Sequence, residues 1–116
     1  MRVIIAGSRT IEDYDLVKKA IKDSGFDITE VVSGGAIGVD CLGEWWAEEN
    51  DIPVKEFTAY WHIQGKPAGI LRNQQMALYA NALIAVWDGK SKGTKHMIEY
   101  MRDKMMKPTL ILKSAE

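Results

Sequence analysis

Five short β-branched runs alternate with helical stretches along this chain, and that alternation leaves few folds open to it. The runs are Val3-Ile4-Ile5, Val31-Val32, Ile52-Pro53-Val54 leading to Phe57, Leu83-Ile84-Ala85-Val86 and Leu110-Ile111-Leu112. They are continuously apolar rather than alternating, so they read as strands covered on both faces, as in a parallel sheet. Pro53 and Pro108 fit strand mouths, where a missing N–H is tolerated. Between the runs, apolar residues recur at helical spacing. Leu16, Val17, Ala20 and Ile21 form one stripe; Val39, Leu42, Gly43, Trp46 and Ala47 form a second. Leu71, Ala77 and Leu78 indicate a third, and Met97, Ile98, Met101 and Met105 a fourth. Each stripe has one face to bury against a sheet. Gly25 and Asn50 stand where helices should end. The order β-α-β-α-β-α-β-α-β, joined by right-handed crossovers, predicts a single α/β domain over residues 1–116. It would have three layers and a mainly parallel five-stranded sheet. One connection, residues 59–69, is long, and such loops are often functional.

Composition narrows the function. The 116 residues are 47% hydrophobic and 27% charged, ordinary globular usage. Fifteen Lys/Arg against sixteen Asp/Glu give a net charge of −1. That balance lacks the basic excess of a general nucleic-acid binder, so nucleic acid is not an expected partner. Cys41 stands alone, which excludes an internal disulfide framework. No apolar run approaches the roughly 18 residues of a membrane span, and the opening MRVIIAGSR is too short for a secretory signal. A cytoplasmic protein with no membrane partner is the expectation.

In open parallel sheets, ligands bind beyond the carboxyl ends of the strands. Four segments reach that edge: Gly7–Thr10, Ser33–Asp40, the long loop running into Arg72-Asn73, and Asp88–Thr94. Most of the ten glycines fall there. Glycine lets backbone amides approach a ligand closely and adopt positive φ. Charge follows the same partition. Segments 7–10, 33–40, 61–73 and 88–96 hold six bases (Arg9, Lys66, Arg72, Lys90, Lys92, Lys95) and two acids (Asp40, Asp88). The rest of the chain holds nine bases and fourteen acids. Positive potential beside helix N-termini is a site for a small anion, most simply phosphate.

Within this edge, SGGAIGVD follows a strand and opens a helix. Gly34 and Gly35 permit a tight turn, and Gly38 permits close packing of the helix start. Ser33 could donate a hydroxyl hydrogen bond. Asp40 could accept from a ribose hydroxyl or interact with the helix N-terminus. The pattern is not the dinucleotide fingerprint G-x-G-x-x-G. Gly89-Lys90-Ser91 invites a P-loop reading, but the leading glycine of that motif would fall on Ile84, inside a strand. What remains is a second glycine-bearing turn, with Gly93 and Thr94 at the start of the fourth helix. Arg72 can hold phosphate through paired hydrogen bonds, and Arg9 is read in the same way. Trp61 could stack on a base or plug its own loop. His62, His96 and Cys41 show no metal-ligand spacing, so no metal and no cofactor are expected. No G-x-S-x-G elbow is present. Trp45 and Trp46 cannot both face one core layer, which leaves one of them for a subunit contact.

The ordered set GSRT, SGGAIGVD, W-x-x-x-G-K-x-A-G-x-x-R-N from Trp61 to Asn73, Met76, and Lys92-Gly93-Thr94 resembles the SLOG superfamily. It is closest to the small stand-alone YspA/YpsA-like branch, over about residues 2–112. The resemblance implies a Rossmann-like fold and a nucleotide or nucleotide-derived small-molecule ligand, such as an ADP-ribose derivative or a cyclic nucleotide. It implies a sensor or a sequestering protein, with NAD-derived signals and anti-phage immunity or counter-immunity as the setting. By that resemblance Gly7, Ser8 and Arg9 line the pocket. Ser33, Gly34, Gly35, Gly38 and Asp40 surround phosphate or ribose, and Arg72, Asn73, Gly93 and Thr94 complete it; Trp61 and Lys66 join these candidates from the long loop by the residues' own reading. LOG phosphoribohydrolases of this superfamily carry P-G-G-x-G-T-x-x-E, and here Met97 replaces the glutamate. Binding is therefore favoured over N-glycosidic cleavage, for which Asp40 or Glu99 would have to substitute. A DNA-linked role like that of DNA-processing protein A is a third reading. Relatives commonly pair, so a homo-oligomer is expected, with Trp45, Tyr79 and Tyr100 as candidate contacts.

Overall fold

The computed structural model describes residues 1–114. Five strands, β1 (Arg2–Gly7), β2 (Glu30–Ser33), β3 (Val54–Glu56), β4 (Ala82–Trp87) and β5 (Thr109–Lys113), form one sheet in the order β3-β2-β1-β4-β5. Every pairing is parallel. This is the three-layer α/β architecture that the alternating runs predict, and it agrees with the Rossmann-like fold that the resemblance implies. Both strand-mouth prolines serve the ladder through their carbonyls: Val31 N–H donates to Pro53 O, and Leu83 N–H to Pro108 O.

Alternation along β1 explains the layers. Val3 and Ile5 face one side and join a core with Val31, Ile84 and Val86. Helices α1 (Tyr14–Ser24) and α2 (Val39–Glu49) cover that side with Val17, Ala20, Ile21, Val39 and Ala47. Ile4 and Ala6 face the other side, with Val32, Leu83 and Ala85. There α4 (Ala68–Tyr79) and α5 (Lys92–Glu99) supply Met76, Ala77, Met97 and Ile98. α5 runs on into a π-helical turn, Tyr100–Lys104, which buries Met101. Helix α1 begins at Asp13, whose carboxylate accepts from Leu16 N–H, and ends at Gly25 with φ +65°, as its sequence requires.

Four details differ from the sequence reading. The long connection contains a one-turn helix, α3 (Trp61–Gln64), too short to show periodicity. In α4 the inward face is Ala68, Asn73, Met76 and Ala77, whereas Leu71 and Leu78 are exposed. Strand β3, read from its run as covered on both faces, is an exposed edge strand. Tyr79 and Tyr100 are half-buried: Tyr79 bonds Glu30 and carries the Arg2 guanidinium on its ring, and Tyr100 packs on His96. Trp45 remains half-exposed and stacks on Tyr14 with centroids 5.0 Å apart, while Trp46 packs on the core. Among the described residues no helix is long and apolar enough to cross a membrane.

Candidate functional site

The strand order reverses between β1 and β4, and connections leaving these neighbours diverge to opposite faces of the sheet. A crevice opens at such a point. Here it is a cleft of about 360 Å³, within the range of small-ligand sites. Gly7 and Arg9 reach it from the end of β1; Gly34, Ala36 and Asp40 from the β2–α2 turn. Trp61, Lys66, Arg72 and Asn73 come from α3, the following turn and α4, and Ser91–Thr94 with His96 from α5. Ala6, Ile70, Met76 and Met97 give it an apolar wall.

The β2–α2 turn is held from within. Gly38 has φ +78°, and a Cβ there would lie 2.4 Å from Ser8 O and 2.6 Å from Arg9 O, so only glycine lets this turn reach the β1–α1 loop. Val39 N–H, the first amide of α2, donates to Ser8 O at 3.3 Å. Gly35 N–H donates to Ser33 Oγ, and Ala36 N–H to Asp40 Oδ2 at 3.3 Å. Two amides of this turn, Gly35 and Ala36, are therefore engaged by the chain's own oxygens rather than turned to an external anion. Gly34 fits between Asp40 and Arg72, where a Cβ would come within 2.9 Å of Asp40 Oδ2 and 3.1 Å of Arg72 Cζ.

Asp40 is buried, and among the described residues it is the one acid lining the cleft. Burial pushes its carboxyl up to about 6, against the opposing pull of the Ala36 amide, the Arg72 cation and the Gly7 amide. Arg72 reaches across from α4. Its Nη1 donates to Gly34 O at 3.2 Å and its Nη2 to Asn73 Oδ1 at 3.5 Å. Its Nε–H is buried and meets no acceptor in the described chain. A buried donor left unmatched is costly, and a ligand oxygen is one way to offset it. Asn73 Nδ2 donates to Gly93 O and approaches His96 Nδ1, each at 3.2 Å. On α5, Ser91 is the N-cap, accepting from Thr94 N–H and bonding Thr94 Oγ1 at 3.1 Å.

Of the residues expected at the site, the fold brings Gly7, Arg9, Gly34, Asp40, Trp61, Lys66, Arg72, Asn73, Gly93 and Thr94 to one cleft. Ser8, Ser33, Gly35, Gly38 and Glu99 lie outside its lining. Ser8 is buried and its Oγ accepts from Asp88 N–H at 2.9 Å, which ties β1 to the end of β4. Ser33 is buried and donates to Glu44 Oε2 at 2.6 Å. A Cβ on Gly35 would meet Glu56, not the cleft. Glu99 is exposed, just past Met97, the last lining residue of α5. Trp61 covers Gly69, whose Cβ would lie 3.0 Å from its ring. His96 and Ser91 are lining residues that motif reading passed over. His96 stands three positions after Gly93 on one helix, a spacing that shares a face. Among the described residues no three His, Cys, Asp or Glu side chains cluster as metal ligands would.

Comparison with known proteins identifies a family and a relative. A family model described as YAcAr, the YspA, cpYpsA-related SLOG family, matches residues 1–63. The Gene 61 protein of Mycobacterium phage D29 is 36% identical over 105 residues, covering 82% of this chain and 83% of that protein. No solved structure matches.

Proposed function

Because the chain belongs to the YspA, cpYpsA-related SLOG family, we propose that its cleft binds a nucleotide or nucleotide-derived ligand, as a sensor or sequestering protein. Family membership supports a nucleotide-related role. The observation that carries the reading is the guanidinium of Arg72. It is clamped at the sheet's switch point with a buried N–H unmatched, and Arg9, Lys66 and Lys92 flank it against the single acid Asp40. In this reading Arg72 and the α5 turn at Gly93-Thr94 take the phosphate, where the helix dipole favours negative charge. Asp40 accepts from a ribose hydroxyl. The apolar wall of Ile70, Met76 and Met97 and the Trp61 ring take the base. Calorimetry against AMP, ADP-ribose, NAD and cyclic AMP tests it. Saturable heat with at least one of them, and none with inorganic sulfate, is expected; silence across the panel rejects the reading.

A second reading, N-glycosidic cleavage of a nucleotide, is favoured by one observation. Asp40 is a buried carboxyl in the cleft, poised near neutrality, which suits general acid–base work. Against it, Met97 occupies the position where LOG enzymes carry glutamate. Incubation with nucleoside monophosphates followed by chromatography decides: free base that disappears in Asp40→Asn supports cleavage, and intact nucleotide rejects it.

A further inference from the structure

His96 is the one imidazole lining the cleft among the described residues, and its surroundings determine where its proton sits. Asn73 is buried, and its amide orientation follows from its partners. Arg72 Nη2 can only donate, so it marks the amide oxygen; Gly93 O can only accept, so it marks the NH2 group. The same NH2 group stands 3.2 Å from His96 Nδ1. Because that group has no lone pair to offer, Nδ1 must be the acceptor, and the ring proton belongs on Nε2. Arg72, Asn73 and His96 thus form one directed chain of hydrogen bonds in which a fixed cation orients an amide and the amide selects a tautomer.

Protonating the ring would place an N–H against the Asn73 NH2 group and break this chain. Burial also disfavours the cation and lowers the His96 pKa from the usual 6.5, with Glu99 on the same helix pulling the other way. The charged groups facing the ring are Glu99 from α5 and, through Asn73, Arg72 from α4; the phenol of Tyr100 packs beside it, ring centroids 5.8 Å apart.

We propose that His96 is a specificity-determining residue of the cleft: a neutral imidazole, presented by Asn73 with its Nε2–H available to a hydrogen-bond acceptor on the ligand. The proposal rests on the nucleotide reading and adds to it the chemistry required at this position. The ligand must offer an acceptor oxygen or ring nitrogen beside the start of α5, from its phosphate or from its base. A donor at that position, such as an exocyclic amine, is rejected.

The experiment uses the whole chain with 15N-labelled histidine. His62→Gln assigns the two imidazoles, and AMP and ADP-ribose are the probes. The expected spectrum shows His96 as a single Nε2–H tautomer, converted to a tautomer mixture in Asn73→Ala. Ligand should shift the Nε2 resonance. By calorimetry, His96→Ala should weaken the better-bound probe about tenfold, while His96→Gln, whose amide N–H stands near the Nε2 position, should stay within about threefold of wild type, on the scale of one hydrogen bond. Adenosine distinguishes the two sources of the acceptor: an equal His96→Ala loss with adenosine assigns the contact to the base, and no loss assigns it to phosphate. Either assignment supports the proposal. If wild type binds and His96→Ala binds equally well, or if the ring is a tautomer mixture, the proposal is overturned and the nucleotide reading stands. If wild type binds neither probe, NAD and cyclic AMP take their place as probes; silence with all four makes both fail together.

Discussion

Replacing Asp40 with asparagine keeps the side chain's size and removes its titration. The native carboxyl has a pKa of about 6 against an ordinary value of 3.8. At about 1.4 kcal/mol for each tenfold change in proton affinity, that difference corresponds to about 3 kcal/mol. The sign follows from where the proton binds more tightly. The folded state holds it better than the unfolded chain. The stability contributed by the protonated carboxyl is therefore fully present below pH 3.8 and is lost as pH rises through about 6. The stability difference, variant minus wild type, should climb by about 3 kcal/mol across that window. Taking the difference cancels the other carboxylates, which titrate in both proteins. Urea unfolding at fixed ionic strength and a series of pH values is the assay. With an m-value of about 2 kcal/mol/M, the relative urea midpoint moves by about 1.5 M. A constant term is expected beneath this slope, because asparagine replaces one accepting carboxylate oxygen with an NH2 group that can only donate. A flat difference would show that Asp40 titrates normally and that its burial is misjudged. A falling difference would show that the Arg72 cation outweighs burial.

Other consequences are simpler to test. Arg72→Ala should weaken the best-bound nucleotide by about ten- to a hundredfold in calorimetry, the loss of a hydrogen bond to charge. Gly38→Ala forces a Cβ against Ser8 O at a backbone conformation reserved for glycine. It should cost about 1–3 kcal/mol, read as a melting temperature lower by at least about 4 °C; an unchanged transition would refute the close approach. Ser8→Ala leaves Asp88 N–H without its acceptor and should lower stability by about 1–3 kcal/mol in urea unfolding.

The sheet was legible because its evidence is local. Val3-Ile4-Ile5 and Leu83–Val86 are buried on both faces, and continuous apolar runs record that directly. The crevice was legible for a related reason: topology alone carries the turns after β1, β2 and β4 to one edge. The serines were not. Ser8 Oγ meets an amide 80 residues away, and Ser33 Oγ meets a carboxylate on the next helix; nothing local distinguishes these hydroxyls from ones open to a ligand. Helix α4 misled for a different reason. Its inward face carries Asn73, buried because it bonds Gly93 and His96 across the cleft, so counting apolar residues gives too much weight to the exposed Leu71 and Leu78. The internal engagement of Gly35 and Ala36 was also invisible, since one glycine pattern serves a turn that cradles an outside anion or one whose amides turn to its own Ser33 and Asp40.

The most direct test of the cleft is a map of backbone amide shifts on adding AMP or ADP-ribose to the 15N-labelled chain. The account predicts that the largest movements fall on Gly7, Gly34, Asn73, Gly93 and Thr94, with the acidic outer face of α2 at Glu48 and Glu49 silent. Movements centred on α2 and β3, or no movement with either compound at saturating concentration, would contradict it.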